Sequence, residues 1–183
     1  RYEAIIEIAS QNFNDTPNFD FDPIWGYNPP TPWLIDCNVF QAWRPKSRTS
    51  RGGALQVSSL CKARGNIFRD GKAIAIWGQG YGIEITGNRF LNNQPSPSDI
   101  YRGFHGNIKL LASKRVTVTN NIAQDTAAVG FWFDANCEDI YVAFNQFKDI
   151  GFSCVHYEVS GGGTVIEHNV CEGWGVNPQL DPS

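Results

Sequence analysis

Short runs of alternating apolar and polar residues recur along the chain, and most close on one signature, apolar-x-apolar-x-x-Asn-x-Phe. It reads Ile6, Ile8, Gln11, Phe13, then Trp33, Ile35, Asn38, Phe40, then Cys61, Ala63, Asn66, Phe68, then Ile83, Ile85, Asn88, Phe90. Val116, Val118, Asn121 and Ala123 continue it, followed by Ile140, Val142, Asn145, Phe147 and by Thr164, Ile166, Asn169, Cys171. From Gln11 to Asn169 the steps are 27, 28, 22, 33, 24 and 24 residues. Alternation with period 2 marks a short strand with one buried face. A second alternating segment precedes most of these strands, at residues 54–57, 73–77, 108–111, 129–134 and 154–159. Helical periodicity is nearly absent, and Gly and Pro punctuate the chain throughout.

Two or three short strands per repeat of roughly 25 residues make one coil of a solenoid. Stacked coils lie about 4.8 Å apart, so like residues fall above one another. The pattern therefore predicts an asparagine ladder at one corner and a phenylalanine stack inside. The expected fold is all-β, a right-handed parallel β-helix of about seven coils forming a single domain over residues 1–183, since parallel crossovers are nearly always right-handed. A β-sandwich would want hairpin turns every 8–12 residues, and a leucine-rich repeat would want Leu at fixed positions; the sequence shows neither.

Composition narrows the function classes. A net charge of −3 with 18% charged residues argues against a nucleic-acid backbone as partner. No apolar run approaches the roughly 20 residues of a membrane-spanning helix, so no membrane is expected as partner. The five cysteines are odd in number and contain no C-x-x-C pair, which favours buried thiols, with a surface disulfide as the alternative. The sequence begins at Arg1 and has no Met, so a longer or processed chain is expected. There is no Gly-rich phosphate loop, no H-E-x-x-H and no G-x-S-x-G.

The strings ITGNRF, YVAFNQF and VIEHNV resemble those of right-handed parallel β-helix proteins, the pectate-lyase-like superfamily, over about residues 6–174. The resemblance implies the fold. It leaves the activity open, because that fold carries lyases, hydrolases, epimerases, phage tailspikes and adhesins. A secreted or extracellular setting, at a cell surface or in a virion, is expected. Residues 14–31, 41–53 (with Arg44, Lys46, Arg48 and Arg51) and 92–106 depart from the repeat, and such insertions often line a solenoid's binding face.

Candidate chemistry comes from counting back from the corner asparagines. Asp134 lies 11 residues before Asn145, and Glu158 lies 11 before Asn169, which puts both carboxylates in one column on consecutive coils. Phe131, Phe133 and Ala135 alternate with Trp132, Asp134 and Asn136, and Val155, Tyr157 and Val159 alternate with His156, Glu158 and Ser160. With the apolar sets inward, the polar sets face out. Trp77 lies 11 before Asn88, and Lys109 falls in line if its coil is shifted by one. The expected outward column is Trp77, Lys109, Asp134 and Glu158, flanked by Trp132 and His156.

Two acids one coil apart repel and gain nothing for stability. Retaining glycosidases hold two carboxyl groups about 5–5.5 Å apart, one as nucleophile and one as acid/base. In such a site Lys109 would keep Asp134 ionised, and Trp132 or Trp77 would stack a sugar ring. The same column is also compatible with a solvated polar face or a calcium site, and no other cofactor is implied.

The segment GFWFDAN followed by VHYEVSGGGTVIEHNV resembles the Asp and Glu segments of a β-helical glycosidase family that includes β-xylosidases. The resemblance implies Asp134 as nucleophile and Glu158 as acid/base, acting on a polysaccharide or oligosaccharide; the aromatic it places after the nucleophile is Ala135 here. His156 would serve as a second acid/base, as a partner for a sugar hydroxyl, or simply as a surface residue. His168, beside a corner asparagine, reads as structural, and His105 in its loop could reach the column.

Two alternatives stay open at this point. One is a polysaccharide lyase assembled from Lys109, Asp134 and calcium. The other is a non-catalytic structural or glycan-binding solenoid that self-associates through its ends, as in tailspikes and fibres.

Overall fold

The structure, a computed structural model, describes residues 6–7, 33–43, 53–94 and 105–175. The insertion at residues 14–31, and most of those at 41–53 and 92–106, lie outside the described residues. The described chain makes about five turns of a right-handed parallel β-solenoid from the first-face strand of its first coil to that of its sixth. The first coil holds β1 (Ile6–Glu7), β2 (Leu34–Asp36) and β3 (Val39–Gln41); the second holds β4 (Gly53–Val57), β5 (Lys62–Arg64) and β6 (Ile67–Arg69). The third coil holds β7 (Ile74–Tyr81), β8 (Glu84–Thr86) and β9 (Arg89–Leu91), and the fourth holds β10 (Gly106–Thr119) and β11 (Ile122–Thr126). The fifth holds β12 (Val129–Asp134), β13 (Glu138–Ala143) and β14 (Gln146–Ile150); the sixth holds β15 (Val155–Glu158), β16 (Val165–Glu167) and β17 (Val170–Trp174).

All strand pairs are parallel and make three faces. The first face is β1-β4-β7-β10-β12-β15, the second is β2-β5-β8-β10-β13-β16, and the third is β3-β6-β9-β11-β14-β17. The long β10 contributes to the first two faces, with a register shift between Leu111 and Lys114 where it rounds the corner.

Each bend from the second face to the third is made by one left-handed residue followed by the ladder asparagine. The left-handed residues are Cys37, Gly65, Gly87, Asn120, Phe144 and His168, with φ between 52° and 66°. The asparagine that follows ties each coil to its neighbour. Asn121 Oδ1 accepts from the backbone N–H of Asn88 at 2.9 Å and from its Nδ2 at 3.0 Å, and Asn121 Nδ2 donates to Ile85 O at 3.0 Å. The same set repeats at Asn66, Asn88, Asn145 and Asn169. Asn66, Asn88, Asn121 and Asn145 are fully buried, so these bonds meet polar groups that water cannot reach.

Inside the third face, Phe40, Phe68 and Phe90 stack with centroids 4.6 and 5.1 Å apart. Ala123 interrupts this column, and Phe131 from the first face fills the gap, edge-on to Phe90 and to Phe147. Each fully buried Phe contributes about 1.5–3 kcal/mol from lost apolar surface. The dipeptide Asp70–Gly71 sits at a corner between parallel strands and makes no hairpin. A Cβ on Gly71 would stand 2.1 Å from the Trp43 ring.

Two sequence expectations need correction. The repeat predicts about seven coils, but Ile6–Glu7 pairs with β4 in the register Ile6↔Leu55, so it is the first-face strand of the coil that continues through Leu34–Asp36. Gln11 and Phe13, the first corner of the sequence pattern, lie outside the described residues. Val159, expected inward, is 74% exposed, because the alternation ends at Glu158 and the chain turns with φ 46° at Val159.

Candidate functional site

The first face carries two outward columns rather than one. Backbone pairing aligns Gln56, Trp77, Lys109, Trp132 and His156 in the first. It aligns Gln79, Leu111, Asp134 and Glu158 in the second. Asp134 and Glu158 are therefore cross-strand neighbours on adjacent rungs, about 4.8 Å apart along the solenoid axis, as the sequence register predicts. Trp77 and Lys109 belong instead to the column of Trp132 and His156. The corner between the first and second faces is the cause. Gln79 precedes Asn88 by nine residues, Leu111 precedes Asn121 by ten, and Asp134 and Glu158 precede their asparagines by eleven each. Counting a fixed eleven slips the register on the third and fourth coils.

Lys109 reaches the acids diagonally. Its Nζ lies 3.1 Å from Asp134 Oδ2 and 3.3 Å from the centroid of the Trp132 ring, and only 4% of its side chain is exposed. The carboxylate and the aromatic face offset part of the hydration that a buried ammonium loses. Lys109 thus fixes the Trp132 ring and the Asp134 carboxylate together. Trp132, itself buried, turns its Nε1–H to Glu158 Oε2 at 3.2 Å. His156 Nε2 lies 3.5 Å from that same oxygen. The two carboxylates consequently have different neighbours: Asp134 faces an ammonium, while Glu158 faces an indole N–H and an imidazole. Asp134 is 21% exposed and Glu158 43%, so both are open to a ligand from outside.

The remaining candidates fall into place around this pair. Trp77, half-buried, flanks Lys109 on the side away from Trp132. His168 stacks on Phe144 at a second-to-third-face bend, 3.7 Å from Glu167 Oε2, well removed in register from the acids. His105 is buried just ahead of β10. Ala135, with φ 51°, begins the corner beyond the nucleophile candidate. Among the described residues, no group of three or more His, Cys, Asp and Glu gathers as a metal-ligand set.

Two features of this region had no distinct signal in the repeat. Phe152, 51% exposed, sits in the corner before β15 with its ring 6.0 Å from that of His156. Cys154 and Cys171 form a disulfide that crosses the interior of the sixth coil. Cys171 takes the next place after Phe147 in the aromatic column, so the bond occupies the site of the missing ring. Cys61 and Cys137 are buried free thiols, and Cys37 is an exposed one.

A family model described as right handed beta helix region matches residues 35–176, most of the chain. The chain belongs to the right-handed β-helix family. No curated protein and no solved structure matches it. Within this β-helix the paired acids stand on the first face of the fifth and sixth coils, on strands rather than on loops. Strand placement gives their spacing the precision of the backbone ladder.

Proposed function

We propose that this β-helix is a carbohydrate-active protein, a retaining glycoside hydrolase with Asp134 as nucleophile and Glu158 as acid/base. The observation that carries the reading is the placement of the Lys109 ammonium against Asp134 and not against Glu158. It sets a fixed positive charge beside the nucleophile candidate, while Glu158 stands beside the Trp132 indole N–H and the His156 imidazole. The adjacent-rung spacing fits the separation of about 5–5.5 Å that double displacement needs. In the first step an Asp134 oxygen bonds to the anomeric carbon while the glycosidic C–O bond breaks, and Glu158 gives its proton to the departing oxygen. In the second, Glu158 takes a proton from water as the water oxygen bonds to the anomeric carbon, and Asp134 is released. Lys109 is a positioning residue throughout.

The proposed substrate is a polysaccharide or oligosaccharide, and the disulfide supports a secreted or extracellular setting. A lyase reading asks Lys109 to act as base. Its burial beneath Trp132 and its carboxylate partner leave it poorly placed to take a substrate proton, so hydrolysis is preferred.

The test is reducing-sugar release from a panel of plant and algal polysaccharides and aryl glycosides, with Glu158→Gln and Asp134→Asn beside the native protein. Loss of about 10²–10⁴-fold in Glu158→Gln is expected, with a 2-fluoroglycosyl adduct located on Asp134 by mass spectrometry. Turnover that survives both substitutions, or a product of inverted anomeric configuration, would overturn the proposal. A well-folded protein that cleaves nothing would make it a glycan-binding or structural solenoid.

A further inference from the structure

We infer that Phe152 and His156 form a leaving-group sugar subsite beside Glu158; the inference rests on the hydrolase reading and specifies its substrate. Phe152 is 51% exposed, yet its backbone is firmly held. Its N–H donates to Ala128 O at 3.2 Å, and the Gly151 N–H donates to Thr126 O at 2.7 Å. Gly151 is buried, and a Cβ there would stand 2.3 Å from Ala127 O, so the corner is tight and presents the next side chain outward. The ring is therefore displayed from a fixed rung rather than from a long loop.

It is displayed beside His156, which is itself the neighbour of the proposed acid/base. The Phe152 and His156 rings meet at 63° with centroids 6.0 Å apart, and His156 stands edge-on to Trp132 at 5.2 Å. His156 Nε2 and Trp132 Nε1 both reach Glu158 Oε2. The row Trp132, His156, Phe152 thus leads away from Glu158. The Lys109 ammonium lies at its other end, on the ring of Trp132 and against Asp134. The acid/base protonates the oxygen of the departing sugar, so a platform on that flank receives the leaving group. An exposed phenyl face and an imidazole edge suit the C–H face and the hydroxyls of a pyranose. The occupant is a sugar unit, which makes the preferred substrate an oligosaccharide rather than a glycoside with a small leaving group.

The experiment compares xylotriose, cellotriose and laminaritriose with the matching glycosyl fluorides, whose leaving group has no ring. Phe152→Ala is expected to lower kcat/KM on the cleaved trisaccharide about tenfold and to leave fluoride hydrolysis within about twofold. Phe152→Trp is expected to restore the trisaccharide rate. Equal losses on both substrates, or none on either, would overturn the subsite while the hydrolase reading stands. If the native protein cleaves neither substrate, the hydrolase reading falls by itself. Calorimetric titration of the trisaccharides into Asp134→Asn, with and without Phe152→Ala, then decides the platform. Weaker binding without the phenyl ring supports it, and unchanged or absent binding overturns it.

Discussion

Lys109 and Asp134 meet on neighbouring rungs with the ammonium 3.1 Å from the carboxylate, and the lysine is almost wholly withdrawn from water. Such a pair is asymmetric in its energetics, because removing one member strands the other. Lys109→Met is expected to destabilise the fold by about 2–3 kcal/mol, below the full cost of breaking a buried pair because Asp134 retains some solvent. In Asp134→Asn the same substitution should cost much less. A double-mutant cycle read by urea denaturation checks this, and additive losses would mean that the two groups are not coupled.

The asparagine ladder should fail most severely in its middle. Asn121→Ala removes four buried hydrogen bonds, to Asn88, Ile85 and Asn145, and leaves the Asn88 N–H unmatched. At about 1 kcal/mol per net bond, a loss of roughly 3–4 kcal/mol is expected. Asn38→Ala, on the half-buried first rung, should cost about 1 kcal/mol. Equal shifts in the urea midpoint at the two sites would show that burial is not what gives the ladder its strength.

Gly71 is required by a ring rather than by its own backbone. Trp43 is 7% exposed and its Nε1–H donates to Ile74 O at 2.9 Å, so the indole cannot withdraw from a Cβ at 2.1 Å without losing that bond. Gly71→Ala should destabilise by about 1–3 kcal/mol and alter tryptophan fluorescence. In the background of Trp43→Ala the glycine substitution should become close to neutral.

Thiol chemistry offers a pH test. Burial pushes the Cys61 thiol up to about 11 and moves Cys137 the same way, while the hydrogen bond to Asp36 raises exposed Cys37. Ellman's reagent at pH 8 should titrate one thiol in the folded protein, Cys37, and three after unfolding in guanidinium. A thiol whose value is raised by folding holds its proton more tightly in the native state. The stability it contributes is present below the ordinary value of 9.0 and is lost as the pH rises towards about 11. Cys61→Ala should therefore flatten the fall in stability across that range.

The asparagine positions carried most of the fold on their own, since a corner that must satisfy buried backbone groups on every coil tolerates few other side chains. Asp134 and Glu158 could be aligned because their two corners are of equal length. Trp77 and Lys109 could not, because the corners above Gln79 and Leu111 are shorter and nothing in the alternation marks where a corner gives up a residue. Ile6 was ambiguous for the same reason: an isolated pair of alternating residues fits the first face and the second equally well. Phe152 lies between strands, where periodicity has no meaning. The Cys154–Cys171 bond joins two different columns, so no spacing rule connects them.

That bond also sets the load path through the sixth coil. In a parallel solenoid pulled by its chain, rungs peel one after another, each releasing its own length as its ladder opens. Here the two sulfurs short-circuit the segment between them, separated by 17 positions, so tension passes from β14 to β17 without stretching His156 or Glu158. Roughly 55–60 Å of contour, at 3.3–3.6 Å per residue, stays concealed from force until the bond is reduced.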